Sequence, residues 1–265
     1  MCHIKTLSVT KSDVSKPRRT TSYRIIVFIL SGTLMLFSAC EKIILNNPGK
    51  QVSVSKLITP FSEIAIYDIF DIEIKSDSIY SLRLTGYSDY LENISFTIDS
   101  GILKISDNNN YKWLADYPRT KIAIGFPKIG TFWVEAPVHL ISLDTLKLDR
   151  FELVSRGKTA EIDLTLDVNS LVLWTGSLDF GYYVLKGKAK SSFIWHQGNS
   201  IVDAKELESN NCEVYNFSIG NSFVNAITKL KVHLYSSGNI FYRGDPGEIN
   251  IAEQSNKGKL IRLDN

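Results

Sequence analysis

The chain has 265 residues, of which 44% are hydrophobic and 22% are charged, so it is long enough for one substantial globular domain or two small ones. Its formal net charge of +2 comes from residues 1–39, which hold six Lys or Arg side chains and one acid. Residues 40–265 carry 24 basic and 27 acidic side chains. A basic excess confined to the N-terminus excludes the broad positive surface of a nucleic-acid-binding domain, so we expect no nucleic-acid partner.

The N-terminus has the pattern of a targeting signal. A basic stretch ends at Arg24, thirteen mostly apolar residues follow (25–37), and the sequence then reads Ser38-Ala39-Cys40. Thirteen residues are short for a bilayer span and typical of a signal-peptide core. Small residues before Cys40 resemble the lipobox of bacterial lipoproteins, in which the cysteine becomes the acylated N-terminus. We predict a signal peptide over 1–39 and a lipidated tether over 40–56, with a plain secretory signal or an uncleaved anchor as alternatives.

Cysteine usage agrees with this interpretation. Of the three cysteines, Cys2 lies in the leader and Cys40 is the predicted lipid attachment site, so the remaining domain keeps only Cys212. A single thiol cannot form an intrachain disulfide, and the spacing offers no metal or redox pair. Cys212 is therefore predicted to be a buried structural thiol.

From Leu57 onward the sequence predicts almost continuous β-structure. Apolar residues alternate with polar ones in short segments such as FSEIAIYDIFDIEIKS, separated by turn residues such as Asp99-Ser100-Gly101. Only residues 87–94 suggest a helical turn, and no helical periodicity reaches three turns. A parallel sheet made of β-α-β units is therefore excluded.

A repeat of about 20 residues organises the second half of the chain. Short strand-forming runs end at five glycines with spacings of 19, 22, 22 and 18 residues: Gly157, Gly176, Gly198, Gly220 and Gly238. In the last three copies an asparagine directly follows the glycine. Such a period is typical of a solenoid, and without helices the solenoid is a parallel β-helix. We expect the last four glycines at one corner of stacked coils, where a tight turn needs positive φ. A propeller and an antiparallel sandwich are the rival folds.

These segments resemble a known family. The opening PFSEIAIYDIFDIEI, the strands SLRLTG and GILKIS, the segment KIAIGFPKIGTFWVE and the closing SSGNIFYRGDP are similar to the adhesin-type head GIN domain family of Bacteroidetes lipoproteins. The similarity extends from about Leu57 to the C-terminus. It implies a right-handed, single-stranded parallel β-helix with a β-rich N-terminal portion, over 57–265. Ala136-Pro137 stands where a first glycine turn is expected, so the number of regular coils stays open.

The residues with catalytic or metal-binding chemistry are dispersed. His139, His196 and His233 have no metal-ligand spacing, and neither a nucleophile motif nor a nucleotide-binding glycine pattern occurs. Asp203, Asn225 and Arg243 each lie five residues after a glycine, and we expect them to stack in one outward column. Such a column suits either a carbohydrate-active enzyme or a solvated charge ladder. We predict no cofactor, no metal and no catalysis.

Aromatic and apolar residues also recur at fixed offsets from the glycines. Trp195, Phe217 and Tyr235 lie three residues before them and are predicted to form a ladder that fills the solenoid interior.

Ile201, Phe223 and Phe241 lie three residues after the glycines and are predicted to form one outward, ligand-binding row. The sequence therefore favours a non-enzymatic interaction or adhesion module. We expect a lipid-anchored outer-membrane protein, facing the periplasm or the exterior, that binds a glycan or an envelope or host protein. A carbohydrate-active enzyme and a purely structural envelope protein are the alternatives.

The lipidation site can be tested directly. Cys40→Ser is expected to block processing of the leader and to remove the acyl mass from the mature chain. Mass spectrometry and membrane fractionation of both forms check this. Identical mass and processing in the two forms would contradict lipidation at Cys40.

Overall fold

The computed structural model describes residues 49–109, 118–254 and 257–263. These residues lie in one compact unit, Pro48–Asn265. The predicted lipidation site, Cys40, falls outside the described residues. Within them the chain forms one short helix, α1 (Ser88–Leu91), and seventeen strands. The strands are β1 (Gln51–Leu57), β2 (Glu63–Ile66), β3 (Phe70–Ser76), β4 (Ser81–Tyr87), β5 (Ile94–Asp99), β6 (Ile102–Asp107), β7 (Lys121–Phe126), β8 (Thr131–Val134), β9 (Val138–Ser142), β10 (Leu146–Ser155), β11 (Glu161–Thr175), β12 (Tyr182–His196), β13 (Ile201–Asn216), β14 (Ser222–Leu234), β15 (Ile240–Arg243), β16 (Glu248–Gln254) and β17 (Leu260–Arg262).

The strands stack as the parallel coils of a β-solenoid of about six turns, which confirms the predicted fold class. Strands β10 to β14 pair in sequence order, each parallel to the next. Neighbouring coils therefore lie about 4.8 Å apart along the axis. The rival antiparallel sandwich and propeller are wrong for this region. Short helix α1 lies inside the segment predicted to contain a helical turn.

Alternation along each strand sends every second side chain into one continuous core. In β12, for example, Tyr183, Leu185 and Ile194 are fully buried while their neighbours are not. In β11, Ile162 pairs with Tyr183 and Leu164 with Leu185. In β13, Val214 pairs with Ile194. Burial of a large apolar side chain contributes about 1.5–3 kcal/mol, so the shared interior holds the coils together.

The first coils do not follow sequence order. Strands β2 and β3 each pair on both edges: β2 lies between β6 and β8, and β3 lies between β7 and β9. The chain therefore forms the coil of β2 and β3 first. The coil of β6 and β7 then pairs on one side of it, and the coil of β8 and β9 pairs on the other side. Antiparallel strands close this end, because β1 pairs with β4, β4 with β7, and β5 with β6. These antiparallel strands agree with the β-rich N-terminal portion that the sequence predicts. Strand β1 begins at Gln51, so the range assigned to the tether ends in a paired strand.

The glycines lie in successive turns at one corner, but the reason expected for them is only partly correct. Among the four, only Gly198 has a positive φ, of 76°. At Gly220 and Gly238 an added Cβ would meet the carbonyl oxygen of the coil below at 1.8 and 2.0 Å. Glycine is needed at these two positions because the backbones approach closely. The carbonyl that faces Gly220 belongs to Ser200 and not to Gly198, so the glycine column is offset by two residues at this step.

Asparagines beside the glycines bridge the coils. The side-chain oxygen of Asn221 accepts a hydrogen bond from the backbone N–H of Asn239 at 3.0 Å, and the Asn239 side chain accepts one from Lys259 at 3.0 Å. These asparagines do not have positive φ, because Ser100 is the only non-glycine residue with positive φ among the described residues. They stabilise the corner by hydrogen bonding along the axis.

No helix in the described part of the chain is long and apolar enough to cross a membrane.

The corner contact makes a specific stability prediction. Gly220→Ala places a methyl group against the Ser200 carbonyl, so we expect the free energy of unfolding to fall by about 3 kcal/mol. Gly247 has no atom within 4 Å of an added Cβ, and Gly247→Ala is the matched control with an expected change within about 0.5 kcal/mol. Chemical denaturation of both variants measures the difference. Equal stabilities would contradict the close approach.

Candidate functional site

One side of the solenoid carries an aromatic column that runs along its axis. Trp174, Trp195, Tyr215 and His233 occupy the same register in β11, β12, β13 and β14. The residues beside them in each strand point inward and are buried. The column therefore lies on the outer surface, which we call the aromatic face. Trp133 belongs to the same column, two coils below Trp174.

A second aromatic row borders this column at the corner. The rings of Phe217 and Tyr235 are parallel within 6°, with centroids 4.3 Å apart, and the Trp195 ring lies 4.8 Å from Phe217. Tyr235 is 43% exposed. The prediction that Trp195, Phe217 and Tyr235 fill the interior is therefore wrong.

The error in register comes from counting from the glycines. The residue that pairs with Trp195 in the next coil is Tyr215, 20 residues later, and its partner in turn is His233. Phe217 lies two positions further along the chain than Tyr215, in the turn after β13. Aligning the strands by their alternation of apolar residues would have placed Tyr215 and His233 in the column of Trp195, because Val214 and Val232 mark the inward positions.

The rings of this face are stacked on one another. Tyr215 and His233 are 3.8 Å apart and tilted by only 10°, which is a face-to-face contact. Their planes therefore lie across the solenoid axis, and the surface presents ring edges. Stacking of this kind contributes about 0.5–1.5 kcal/mol per pair beyond burial. The column stabilises the coil stack and leaves an apolar, edge-on surface.

The predicted ligand-binding residues lie on the neighbouring side of the corner. Phe223 and Phe241 pair in register, and their rings stack with centroids 4.9 Å apart and 12° between planes. Ser222 and Val224 beside Phe223 are buried, so both phenylalanines point outward. They are partly exposed.

Ile201 does not continue this row. It is 39% exposed and pairs with Tyr182, whereas the partner of Phe223 in that coil is Asp203. The expected straight row of Ile201, Phe223 and Phe241 is wrong, because Gly220 stands two residues later in the turn before β14 than Gly198 does in the turn before β13. The outward surface here contains the Phe223–Phe241 pair, with Ile201 beside Tyr182 one column away.

The predicted polar column is broken by the same offset. Asn225 pairs with Arg243, but Asp203 pairs with Phe223. Asp203 is only 8% exposed and forms an ion pair with Lys205. The three residues therefore do not form the convergent set that the enzyme alternative needs.

The interior of the corner is polar. Thr175, His196 and Asn216 occupy one inward column, and each is fully buried. The Thr175 hydroxyl accepts a hydrogen bond from the Gln197 N–H at 2.8 Å and lies 3.0 Å from the Gln197 carbonyl. The Asn216 side chain donates to the Gly238 carbonyl at 2.8 Å. This column satisfies the backbone groups of the corner turns.

Titratable groups in the interior have shifted pKa values because they are buried. Burial lowers the pKa of His196 to about 4, and its two ring nitrogens contact Ser222 Oγ at 2.7 Å and Ser200 Oγ at 3.0 Å. Burial raises the pKa of Asp179, which accepts hydrogen bonds from the Tyr183 hydroxyl and the Gly181 N–H. These groups support the turns from inside.

Cys212 is buried and free, as predicted, and burial raises the pKa of its thiol to about 11. In the described residues, no three His, Cys, Asp or Glu side chains converge on a possible metal position.

A polar groove of about 500 Å³ lies beside the N-terminal strands. Two of its cations are paired with carboxylates, Lys121 with Glu73 at 3.0 Å and Lys75 with Asp77 at 2.7 Å. Arg83 donates to Ser55 at 3.2 Å. The other lining residues are Lys56, hydroxyl side chains such as Ser53 and Thr85, and apolar side chains such as Leu57 and Leu143. The groove is therefore a polar, basic surface whose cations are partly paired.

Comparison with known proteins gives a consistent result. A protein-family model described as "Putative auto-transporter adhesin, head GIN domain" matches residues 60–246. No curated protein matches the chain significantly.

Solved structures of low sequence identity share the fold. The crystal structure of a putative adhesin from Bacteroides fragilis has a TM-score of 0.71 at 17% identity, covering 81% of this chain and 97% of that one. A putative adhesin from Parabacteroides distasonis has a TM-score of 0.59 at 15% identity, covering 81% and 98%. A protein from the same organism described as a putative lipid binding protein has a TM-score of 0.55 at 15% identity, covering 82% and 98%.

Proposed function

The chain belongs to the family described as putative auto-transporter adhesin, head GIN domain, and from this we propose that it is a lipid-anchored, non-enzymatic adhesion module of the cell envelope. Cys40 is the proposed attachment point, on the basis of the apolar segment that ends in Ser38-Ala39-Cys40. The tether after Cys40 would hold the solenoid at the membrane surface, on the periplasmic or the exterior side.

The observation that carries the binding role is the outward apolar surface beside the corner. Phe223 and Phe241 repeat at the spacing of the coils, with Ile201 and Tyr182 in the adjacent column. The two phenylalanines, one coil apart, form a short linear surface and not a pocket, since the same register position lies about 4.8 Å further along in the next coil. A linear surface suits an extended partner, either a glycan chain or a polypeptide strand.

A non-enzymatic role is supported by where the titratable groups lie. In the described residues, the groups whose pKa values are most strongly shifted by burial are inside the coils: Asp179, Tyr183, His196 and Cys212. Catalysis requires such groups in an accessible concave site, together with a path for substrate. Here they hydrogen-bond to turns or pack in the core.

Binding can be tested with the fragment that starts at Gln51, in a screen of glycans and envelope proteins. Phe223→Ser combined with Phe241→Ser is expected to weaken binding by about 2–4 kcal/mol, because the pair forms the centre of the contact. Ile79 is 52% exposed and lies outside this surface, so Ile79→Ser is the control and should bind normally. Circular dichroism must show that both variants are folded.

Two results would contradict the proposed site. Unchanged affinity in the double variant would move the partner to another surface. Loss of the fold in that variant would show that the phenylalanines are part of the core.

A further inference from the structure

The most exposed apolar side chains of the regular coils lie at the tips of the corner turns. Leu178 is 69% exposed, Phe180 is 58% exposed and Ile219 is 60% exposed. Leu178 and Phe180 belong to one turn and Ile219 to the equivalent turn two coils later, so they lie about 10 Å apart along the axis. We call these three side chains the corner ridge. Exposed apolar side chains grouped in this way mark a contact surface.

A depression, which we call the saddle, lies between the two turns that carry the corner ridge. The intervening turn contains Gly198, which has no side chain, and a shallow depression of about 410 Å³ opens there. Phe180, Phe217 and Ile219 form its apolar walls, and Gln197 and Asn199 supply amide groups. The corner thus combines apolar tips with a polar floor.

The corner lacks exposed negative charge. Its five successive turns, at 156–160, 176–181, 197–200, 217–221 and 235–239, contain a single carboxylate, Asp179. Asp179 is 1% exposed and points inward to Tyr183. Lys158 is exposed in the first of these turns. In a chain with 28 acidic residues, this distribution makes the corner neutral to basic, and it complements an anionic surface.

Amphipathic aromatic residues border the ridge on both sides. Trp195 lies on the aromatic face and Tyr235 in the row that borders this face, and Tyr182, 45% exposed, lies on the other side. The nearest exposed carboxylate in register is Glu161, one coil below Tyr182. Tryptophan and tyrosine beside an apolar surface are typical of the boundary between lipid headgroups and acyl chains.

Several backbone groups of these turns are satisfied from inside. Gly181 N–H donates to Asp179 at 2.6 Å, and Gly220 N–H donates to Ser218 Oγ at 2.8 Å. The Gly198 carbonyl accepts from Ser218 Oγ at 2.9 Å. Entry into an apolar phase is costly mainly when backbone groups lose water without gaining partners. These backbone groups can therefore leave water at low cost.

From these observations we propose that the corner ridge is a membrane-contact surface that inserts Leu178, Phe180 and Ile219 into the headgroup region of an anionic lipid bilayer. The solenoid then lies with this corner against the membrane, and the saddle at Gly198 receives lipid between the two tips. The contact is independent of acylation at Cys40. It adds a second attachment to any lipid anchor, and stable membrane association generally requires two such signals.

The test uses residues 49–265, which lack the leader and Cys40. This segment corresponds to the compact unit and contains the whole core cluster, so the outcome does not depend on lipidation. We expect it to float with vesicles of phosphatidylcholine and phosphatidylglycerol, and less with phosphatidylcholine alone. The triple variant Leu178→Ser, Phe180→Ser, Ile219→Ser should lower the partition coefficient by about tenfold or more, since it removes three inserted apolar side chains.

A matched control uses exposed apolar residues away from the ridge. Ile79 is 52% exposed, Leu143 53% and Ile227 42%, and changing these three to Ser should leave vesicle binding unchanged. Thermal unfolding of both triple variants checks the fold.

A second measurement locates the contact. Cys212 is buried and is the only cysteine of the fragment, so a new surface thiol can be labelled selectively with a polarity-sensitive dye. Label at Ile219→Cys should shift its emission to the blue when anionic vesicles are added, and label at Leu143→Cys should not.

Three outcomes would overturn the proposal. The folded fragment could fail to bind either vesicle, or the ridge and control variants could bind equally. In the third outcome, the fragment does not bind vesicles but forms oligomers, and the triple ridge variant is monomeric. The ridge would then be an interface between copies of the chain.

Discussion

Backbone pairing between successive coils sets the geometry on which the other features depend. Because each strand binds the equivalent strand one coil below, side chains at the same register repeat at a fixed spacing along the axis. The core becomes a continuous column of buried aliphatic residues, and the outer surfaces become rows. At the corner the same pairing brings backbones so close that Gly220 and Gly238 have no room for a side chain. The corner turns are therefore tightly stacked parts of the coil and not independent loops.

The polar interior of the corner explains how these turns can carry apolar tips. Thr175, Asn216 and Ser218 bind turn backbone groups from inside, so these groups do not depend on water for their hydrogen bonds. Their outer surface is then free to hold side chains chosen for contact with a partner. The stacked aromatic column beside them works differently, since its rings cover one another and stabilise the solenoid.

The sequence predicts the solenoid because glycine recurs at nearly one coil length and because no helix separates the strands. It also places Phe223 and Phe241 outward correctly, since strand alternation is strong around Val224. It fails at register for Ile201 and Asp203, because Gly198 and Gly220 stand at positions two residues apart in otherwise equivalent turns and so do not stack on one another. An offset of two residues keeps a side chain on the same face of the strand but moves it to a different column along the solenoid axis.

Three further features could not be predicted from the sequence, for physical reasons. Strands β2, β6 and β8 have similar apolar alternation, so nothing local tells which of them occupies the middle position. The interior location assigned to Trp195, Phe217 and Tyr235 follows from the large apolar area of these side chains, but the inward positions of those strands are already taken by Ile194, Val214 and His196. The exposure of Leu178 and Phe180, on either side of Asp179, accompanies the inward turn of Asp179 to Tyr183, a contact that the repeat pattern does not indicate.

Amide hydrogen exchange with single-residue resolution tests the central claim, that the corner turns are satisfied internally and stacked as firmly as the strands. The account predicts that the amides of Gly181, Gln197 and Gly220 exchange as slowly as those of the adjoining strands, and far more slowly than the amide of Gly247. Exchange of the three corner amides at the rate of Gly247 would contradict it, because the turns would then be open loops.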